Sequence, residues 1–426
     1  MSTYTIGLDF GTNSARAIVV DCMNGSIVGS SIYNYKFGEM GIITDASNPN
    51  VARQHPSDYI SALKKIIPQS LAEANIKTDL VKGIGVDTTA STPIPVDKDG
   101  QALALNSSYE ENLSAMAWLW KDHAAFKEAE EITNLAKKIR PHYLSNCGGI
   151  YSSEWYWAKL LHCLRTAPDV FKAAYSWIEL QDWIPFVLTG ERTLGLCAAG
   201  HKGLYHSSWN GFPDDEFFEM LDPHLLDIRL TLPSSAKHIG QIAGKLNENW
   251  ATEFNLPLGT PVATGTIDAH AGAVGSGIET GTMVKIIGTS TCDIVLSSLS
   301  EDLPEIPGIC GIAEESVLPG YYGLEAGQSA VGDIFNWFIH KIEPGDNLSH
   351  DDLNQQVELL NPGESGLLAL DWNNGNRSLL ADPLLSGLLI GTTLHTTPAE
   401  IFRAYIEATA FGARMIIERF KEYNIL

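Results

Sequence analysis

An α/β protein built from two related domains that face a shared cleft is what this chain encodes, on three observations. Apolar strand-like runs alternate with amphipathic helical ones, and several strands stop at an acid followed by small residues. LDFGTNSARAIVV (Leu8–Val20) and KIIGTSTCDIVLS (Lys285–Ser297) share one order: apolar strand, Gly-Thr, two small polar residues, apolar strand. At 426 residues the chain also exceeds what one simple core supports. The boundary is expected near Leu258, giving domains 1–257 and 258–426.

The N-terminal strand, Thr5–Phe10, meets Gly11-Thr12-Asn13-Ser14 and then a second strand-like run, Ala17–Val20. Asn24-Gly25 before Ile27-Val28 is a hairpin signal. Strands therefore follow the glycine, which excludes the P-loop and the Rossmann fingerprint, where a helix starts directly after the glycines. A glycine turn between strands still offers N–H groups to a phosphate; an ordinary hairpin is the other reading.

An amphipathic helix spans residues 57–75, and a strand, Val81–Val86, ends at Asp87-Thr88-Thr89-Ala90-Ser91. Trp118–His123 precedes a charged helix, Ala124–Lys138. Trp120, Asp122 and His123 line a cleft or simply begin that surface helix. Ser152–Leu164 and Asp182–Leu188 are tryptophan-rich and read as core. Ala198–Gly203 puts Lys202 in a loop of small residues, where a lone lysine is ordinarily solvated. A helix, Lys245–Phe254, leads toward Pro261–Ile267, a buried strand.

That strand ends at Asp268, among Gly265, Thr266, Ala269, Ala271 and Gly272. Small neighbours leave room beside the acid. A carboxylate at the C-terminal end of a strand is a general-base candidate, and an N-cap is the alternative. The second Gly-Thr hairpin follows, through Gly288, Thr289 and Ser290. Glu325, in GLEAGQS, is a substrate contact or a helix-entry acid. Thr397-Pro398-Ala399-Glu400 is a capping box with proline at N1. The helix after it has an apolar face through Ile401, Tyr405, Ala408, Phe411, Met415 and Ile416.

Apolar residues make up 44% and charged residues 19% of the chain, as in ordinary globular proteins. A net charge of −23 argues against nucleic-acid and anionic-membrane partners, which need a basic face, but not against a small anionic ligand. Six cysteines with no C-x-x-C pair suit reduced thiols rather than zinc or a disulfide framework. No apolar run approaches a membrane span and no leader-like segment is seen, so a cytoplasmic protein is expected.

Taken together, DFGT, the GTxD segment, the second Gly-Thr-Ser hairpin and RAxxEAxAF at Arg403–Phe411 resemble the FGGY carbohydrate kinases, of the actin-like ATPase (ribonuclease H-like) fold. TTASTP (Thr88–Pro93), WKDH, AGHK, GTIDAHAGAVGSG and GLEAGQSAVGD resemble most the ribulose-phosphorylating members. The resemblance implies ATP-dependent phosphorylation of L-ribulose, and of D-ribulose, at O5 in L-arabinose catabolism. It implies Asp268 as catalytic base and substrate contact, and Asp9 as the acid that orients Mg²⁺ through water. Gly11, Thr12, Asn13 and Ser14, with Gly288, Thr289 and Ser290, would hold the phosphates of ATP, and Ala90, Lys202 and Glu325 would touch the ketopentose. Alternatives are another sugar kinase of the family, such as one acting on xylulose, a non-catalytic sugar- or nucleotide-binding fragment, or an actin- or chaperone-like ATPase. Members normally continue past the RAxxEAxAF helix into a Gly-Gly loop for adenosine, so an incomplete C-terminal domain is expected. A homodimer is left open.

Overall fold

The strands at the N-terminus form because residues 4–34 alternate apolar and polar side chains at period two, and one face is buried. A computed structural model describes residues 2–301, 303–345, 348–382 and 384–426. The chain divides into two units. Unit 1 comprises Met1–Leu144, Ile150–Ala271 and Ala313–Tyr321; unit 2 comprises Ser145–Gly149, Gly272–Ile312 and Tyr322–Leu426.

In unit 1, β1 (Tyr4–Phe10) pairs antiparallel with β2 (Ser14–Asp21), and β2 with β3 (Ile27–Asn34). Helix α1 (Pro56–Ala74) starts with proline in its first turn and ends at Asn75 in the left-handed region. Its Tyr59, Leu63, Ile66 and Ile67 are fully buried against Ile6, Leu8, Ala17 and Val19. Each such aliphatic side chain contributes roughly 1.5–3 kcal/mol by leaving water. On the other side of β1, β4 (Val81–Thr88) pairs in parallel. Helices α2 (Tyr156–Thr166) and α3 (Leu196–Gly203) follow. The sheet ends with β5 (Ile242–Lys245), antiparallel to β6 (Pro261–Ala263); β6 and then β7 (Thr266–Ile267) pair in parallel with β4. The break between β6 and β7 falls at Gly265, where a Cβ would run into the Gln181 carbonyl.

The pairing of β6 and β7 with β4 places Pro261–Ile267 and Asp268 in unit 1, past the 257/258 boundary drawn from the sequence. The chain passes into unit 2 within α4 (Asp268–Gly275).

Unit 2 carries β8 (Met283–Ile287) antiparallel to β9 (Thr291–Ser298). The short α5 (Gly332–Trp337) and the long α6 (Pro398–Glu422) follow, and both hydrogen bonds of the Thr397–Glu400 capping box are present. The buried face of α6 differs from the expected one. Phe402, Tyr405, Ala408, Ile416 and Phe420 are buried, whereas Phe411 is 58% and Met415 53% exposed. The helix serves two clusters in turn, Ile334–Phe338–Leu353 near its start and Val295–Ile312–Leu324 near its end. A stripe drawn through one face misses that division.

Among the described residues no helix is long and apolar enough to cross a membrane. All six cysteines are free thiols.

Candidate active site

Three acids meet at the C-terminal edge of the unit 1 sheet. Asp9 near the end of β1 stands directly opposite Asp87 of β4 in the parallel register. Asp87 also pairs with Thr266, two residues before Asp268, which opens α4. Burial, and then the neighbouring charges of Asp9 and Asp268, hold the Asp87 carboxyl well above the usual carboxylate range. Across the hairpin, Arg16 of β2 is in register with Asp9, and its guanidinium donates to Asp9 Oδ2 at 2.9 Å. Asp268 is half-buried, and its Oδ1 accepts the Ala269 N–H at 2.6 Å.

The Gly11–Ser14 turn is closed by the Gly11 N–H donating to the Ser14 carbonyl at 3.0 Å. Thr12 is held from two directions. Gln54 Nε2 donates to its carbonyl at 2.7 Å, and Trp120 Nε1 donates to its Oγ1 at 3.0 Å. Trp120 thus braces the turn. Asp122 lies behind it, fully buried and paired with Arg53. His123 is half-buried, with Nε2 3.8 Å from Glu154.

Ala90 lies two residues past the end of β4, and its carbonyl accepts from Thr92 Oγ1 at 2.9 Å. Lys202 lies in the last turn of α3, not in a loop, and only 4% of it is exposed. Its ammonium sits 5.6 Å from the Trp155 ring centroid, and its carbonyl accepts from Tyr151 at 2.6 Å. Gly200, one of the small residues read as a loop, serves close packing: a Cβ there would come within 2.6 Å of Ala313 Cβ.

In unit 2, the Gly288–Ser290 turn is closed by Gly288 N–H donating to the Ser290 carbonyl at 2.9 Å. Gly288 and Thr289 are exposed and Ser290 half-buried. The Val331 and Asp333 N–H groups donate to the Thr289 carbonyl, and Gly332 N–H donates to the Gly288 carbonyl. Behind the turn, Lys285 donates to Asp293, Thr291 and Gln328. Glu325 belongs to the strand Tyr321–Ala326 and is buried, which removes the helix-entry reading.

Sequence reasoning gave no role to Arg16, to Asp87 or to a buried lysine, Lys159. Arg16 could have been found from hairpin register, since a four-residue turn, Gly11–Ser14, pairs Phe10 with Ala15 and so puts Arg16 opposite Asp9. Asp87 was visible as an acid ending a strand, but its pairing with Asp9 is long-range.

Residues 4–275 match the FGGY family of carbohydrate kinases, N-terminal domain, and residues 283–425 its C-terminal domain. The chain is 42% identical to a ribulokinase from Halalkalibacterium halodurans, over 98% of this chain and 76% of that protein. It is 38% identical to a ribulokinase from Vibrio parahaemolyticus, over 99% and 79% respectively. Among solved structures, xylulose kinase from Rhodospirillum rubrum aligns with a TM-score of 0.78 at 22% identity, over 99% of this chain and 79% of that one. Plasmodium falciparum glycerol kinase with ADP aligns with a TM-score of 0.76 at 17% identity, again over 99% and 79%. Those two share the fold; the sequence matches over both halves of the chain carry the assignment. This chain belongs to the FGGY family of carbohydrate kinases, enzymes that phosphorylate sugars with ATP.

Proposed function

We propose that the chain transfers the γ-phosphoryl group of ATP to O5 of L-ribulose, and of D-ribulose, forming ribulose 5-phosphate in L-arabinose catabolism. One observation carries the reading: Asp268 stands at the open edge of the sheet beside Asp9 and Asp87, in a chain 42% identical to a ribulokinase.

Asp268 accepts the O5 proton while the new O5–phosphorus bond forms. The bond from the γ-phosphorus to its bridging oxygen breaks, and ADP leaves. A loose phosphoryl transition state asks the base mainly for position, and the junction of β7 with α4 fixes the backbone at Asp268. Gly11, Thr12, Asn13 and Ser14 on unit 1, and Gly288, Thr289 and Ser290 on unit 2, are assigned to phosphate through backbone N–H groups and hydroxyls. Ala90, Lys202 and Glu325 are assigned to the ketose.

The all-oxygen donor set of Asp9 and Asp87 fits Mg²⁺, a hard cation that favours carboxylates and water. Asp9 would hold it through water, and when bound it would neutralise charge on the phosphates. Free thiols at all six cysteines support a cytoplasmic setting. A homodimer is distinguished from a monomer of 46.3 kDa by mass in solution.

ADP release with L-ribulose, D-ribulose and D-xylulose tests the acceptor. L-ribulose as preferred substrate supports the proposal; a strong xylulose preference replaces it with the neighbouring activity. Turnover that is absent with every ketose, while sugar still binds, would mark a binding module.

A further inference from the structure

Lys159, on α2, is fully buried, and all three of its N–H donors are spent on backbone carbonyls. Nζ donates to Ser91 at 2.7 Å, to Leu119 at 2.9 Å and to Trp118 at 3.3 Å. Among the described residues no carboxylate hydrogen-bonds to it. Burial pushes the ammonium down to about 8, against the opposing pull of Asp122, Glu179 and Glu154. Burying a charge that only neutral carbonyls solvate is expensive, and an apolar residue of similar volume would fill the space at less cost. What the ammonium does, and methionine could not, is join two segments.

Ser91 adjoins Ala90, assigned above to the ketose, and its hydroxyl donates to Glu179 at 2.9 Å. Leu119 adjoins Trp120, whose indole N–H reaches Thr12 Oγ1. An indole nitrogen can only donate, so Thr12 Oγ1 must accept and its own proton is left to donate elsewhere. The Thr12 carbonyl is fixed by Gln54, whose amide is oriented by Tyr59 OH donating to Gln54 Oε1 at 2.6 Å. A hydroxyl on a glycine turn whose proton is left to donate is suited to an anionic oxygen.

We propose that Lys159 is a positioning residue that locks the Ala90–Ser91 segment to the Trp118–Trp120 segment and, through Trp120, aims the Thr12 hydroxyl at phosphate. The inference rests on the phosphate and ketose assignments made above. It touches no reacting atom. Its effect is the relative placement of two groups that hold different substrates.

The test pairs Lys159→Met with Trp120→Phe, which removes the indole N–H donor together with one ring of the side chain. Hydrogen exchange read by mass spectrometry is the activity-free arm. Lys159→Met is expected to speed exchange at 11–14, 88–92 and 118–121 while the α1 core stays protected. In the kinetic arm, Trp120→Phe is expected to lower kcat about fivefold in the wild type. In the Lys159→Met background, already lower by about 10²-fold, it is expected to make little further difference. Multiplying effects, or acceleration spread evenly over the whole unit, would reduce Lys159 to a structural lysine and overturn the proposal. If no ketose is turned over, the functional reading fails on its own, and the exchange pattern still decides the role of Lys159.

Discussion

The two Gly-Thr hairpins start from nearly the same sequence and are held in place by different means. In unit 1 the turn is braced by side chains from distant parts of the chain, Gln54 and Trp120. In unit 2 it is stapled by backbone N–H groups of the residues that open α5. The charge behind them differs as well. Asp9 of the first hairpin aligns with Ile286 of the second, so two residues before the glycine the entering strand carries an acid in the first and an isoleucine in the second. The second has Lys285 instead, paired with the fully buried Asp293. One motif has been given two chemistries: unit 1 gathers carboxylates, and unit 2 offers exposed N–H and hydroxyl groups over a neutralised lysine pair.

That contrast can be broken in four places. Asp9→Asn is expected to lower turnover by on the order of 10²–10³-fold, whereas Ile286→Val at the matching position leaves it essentially as it is. Similar losses in steady-state assays would erase the distinction. Lys285→Met leaves Asp293 without its cation, and denaturant titration should show a loss of about 3 kcal/mol. That is the lower end for a buried pair, because Lys285 stays 21% exposed. Gly332→Ala drives a Cβ to 2.5 Å from the Gly288 carbonyl, while Gly11→Ala meets the Ser14 carbonyl only at 3.3 Å. Gly332→Ala should therefore destabilise by about 1–3 kcal/mol and raise the KM for ATP, with Gly11→Ala the milder of the two.

The smallest effect concerns pH. Burial pushes Glu179 up to about 7, against Lys159 and its hydrogen bonds to Ser91 and Thr92, from an ordinary value of ~4.3. Its carboxyl keeps a proton on folding, so stability present at low pH is lost as pH rises from ~4.3 through about 7. Lys159, lowered to about 8, has the opposite sign: its contribution is lost as pH falls through about 8. Glu179→Gln should flatten the slope of unfolding free energy between pH 5 and 7 and leave unit 2 unaffected; an unchanged slope would contradict that assignment.

What could be read from sequence follows how local each feature is. Both hairpins were legible because strand, glycine turn and strand are adjacent in the chain. The placement of Asp268 at a strand-to-helix junction was legible for the same reason. The pairing of Asp9 with Asp87 depends on parallel register between strands separated by β2, β3 and α1, which no local pattern encodes. Lys159 was hidden among tryptophans that read as core, and much of that reading stands: Trp155, Trp157 and Trp183 are buried. Lys202 was placed in a loop because it stands among small residues, while tertiary packing makes them helical. The domain boundary was set early because nothing in Pro261–Ile267 announces that it completes the sheet of the first unit.

Phosphorus NMR of the product, run beside calorimetric binding of L-ribulose, tests the central claim most directly. With ATP, Mg²⁺ and L-ribulose, the wild-type chain should yield a phosphomonoester at O5. Asp268→Asn should bind the sugar with similar affinity and form that product ~10²–10⁴-fold more slowly. Product formed by the variant at nearly the wild-type rate would contradict Asp268 as the base.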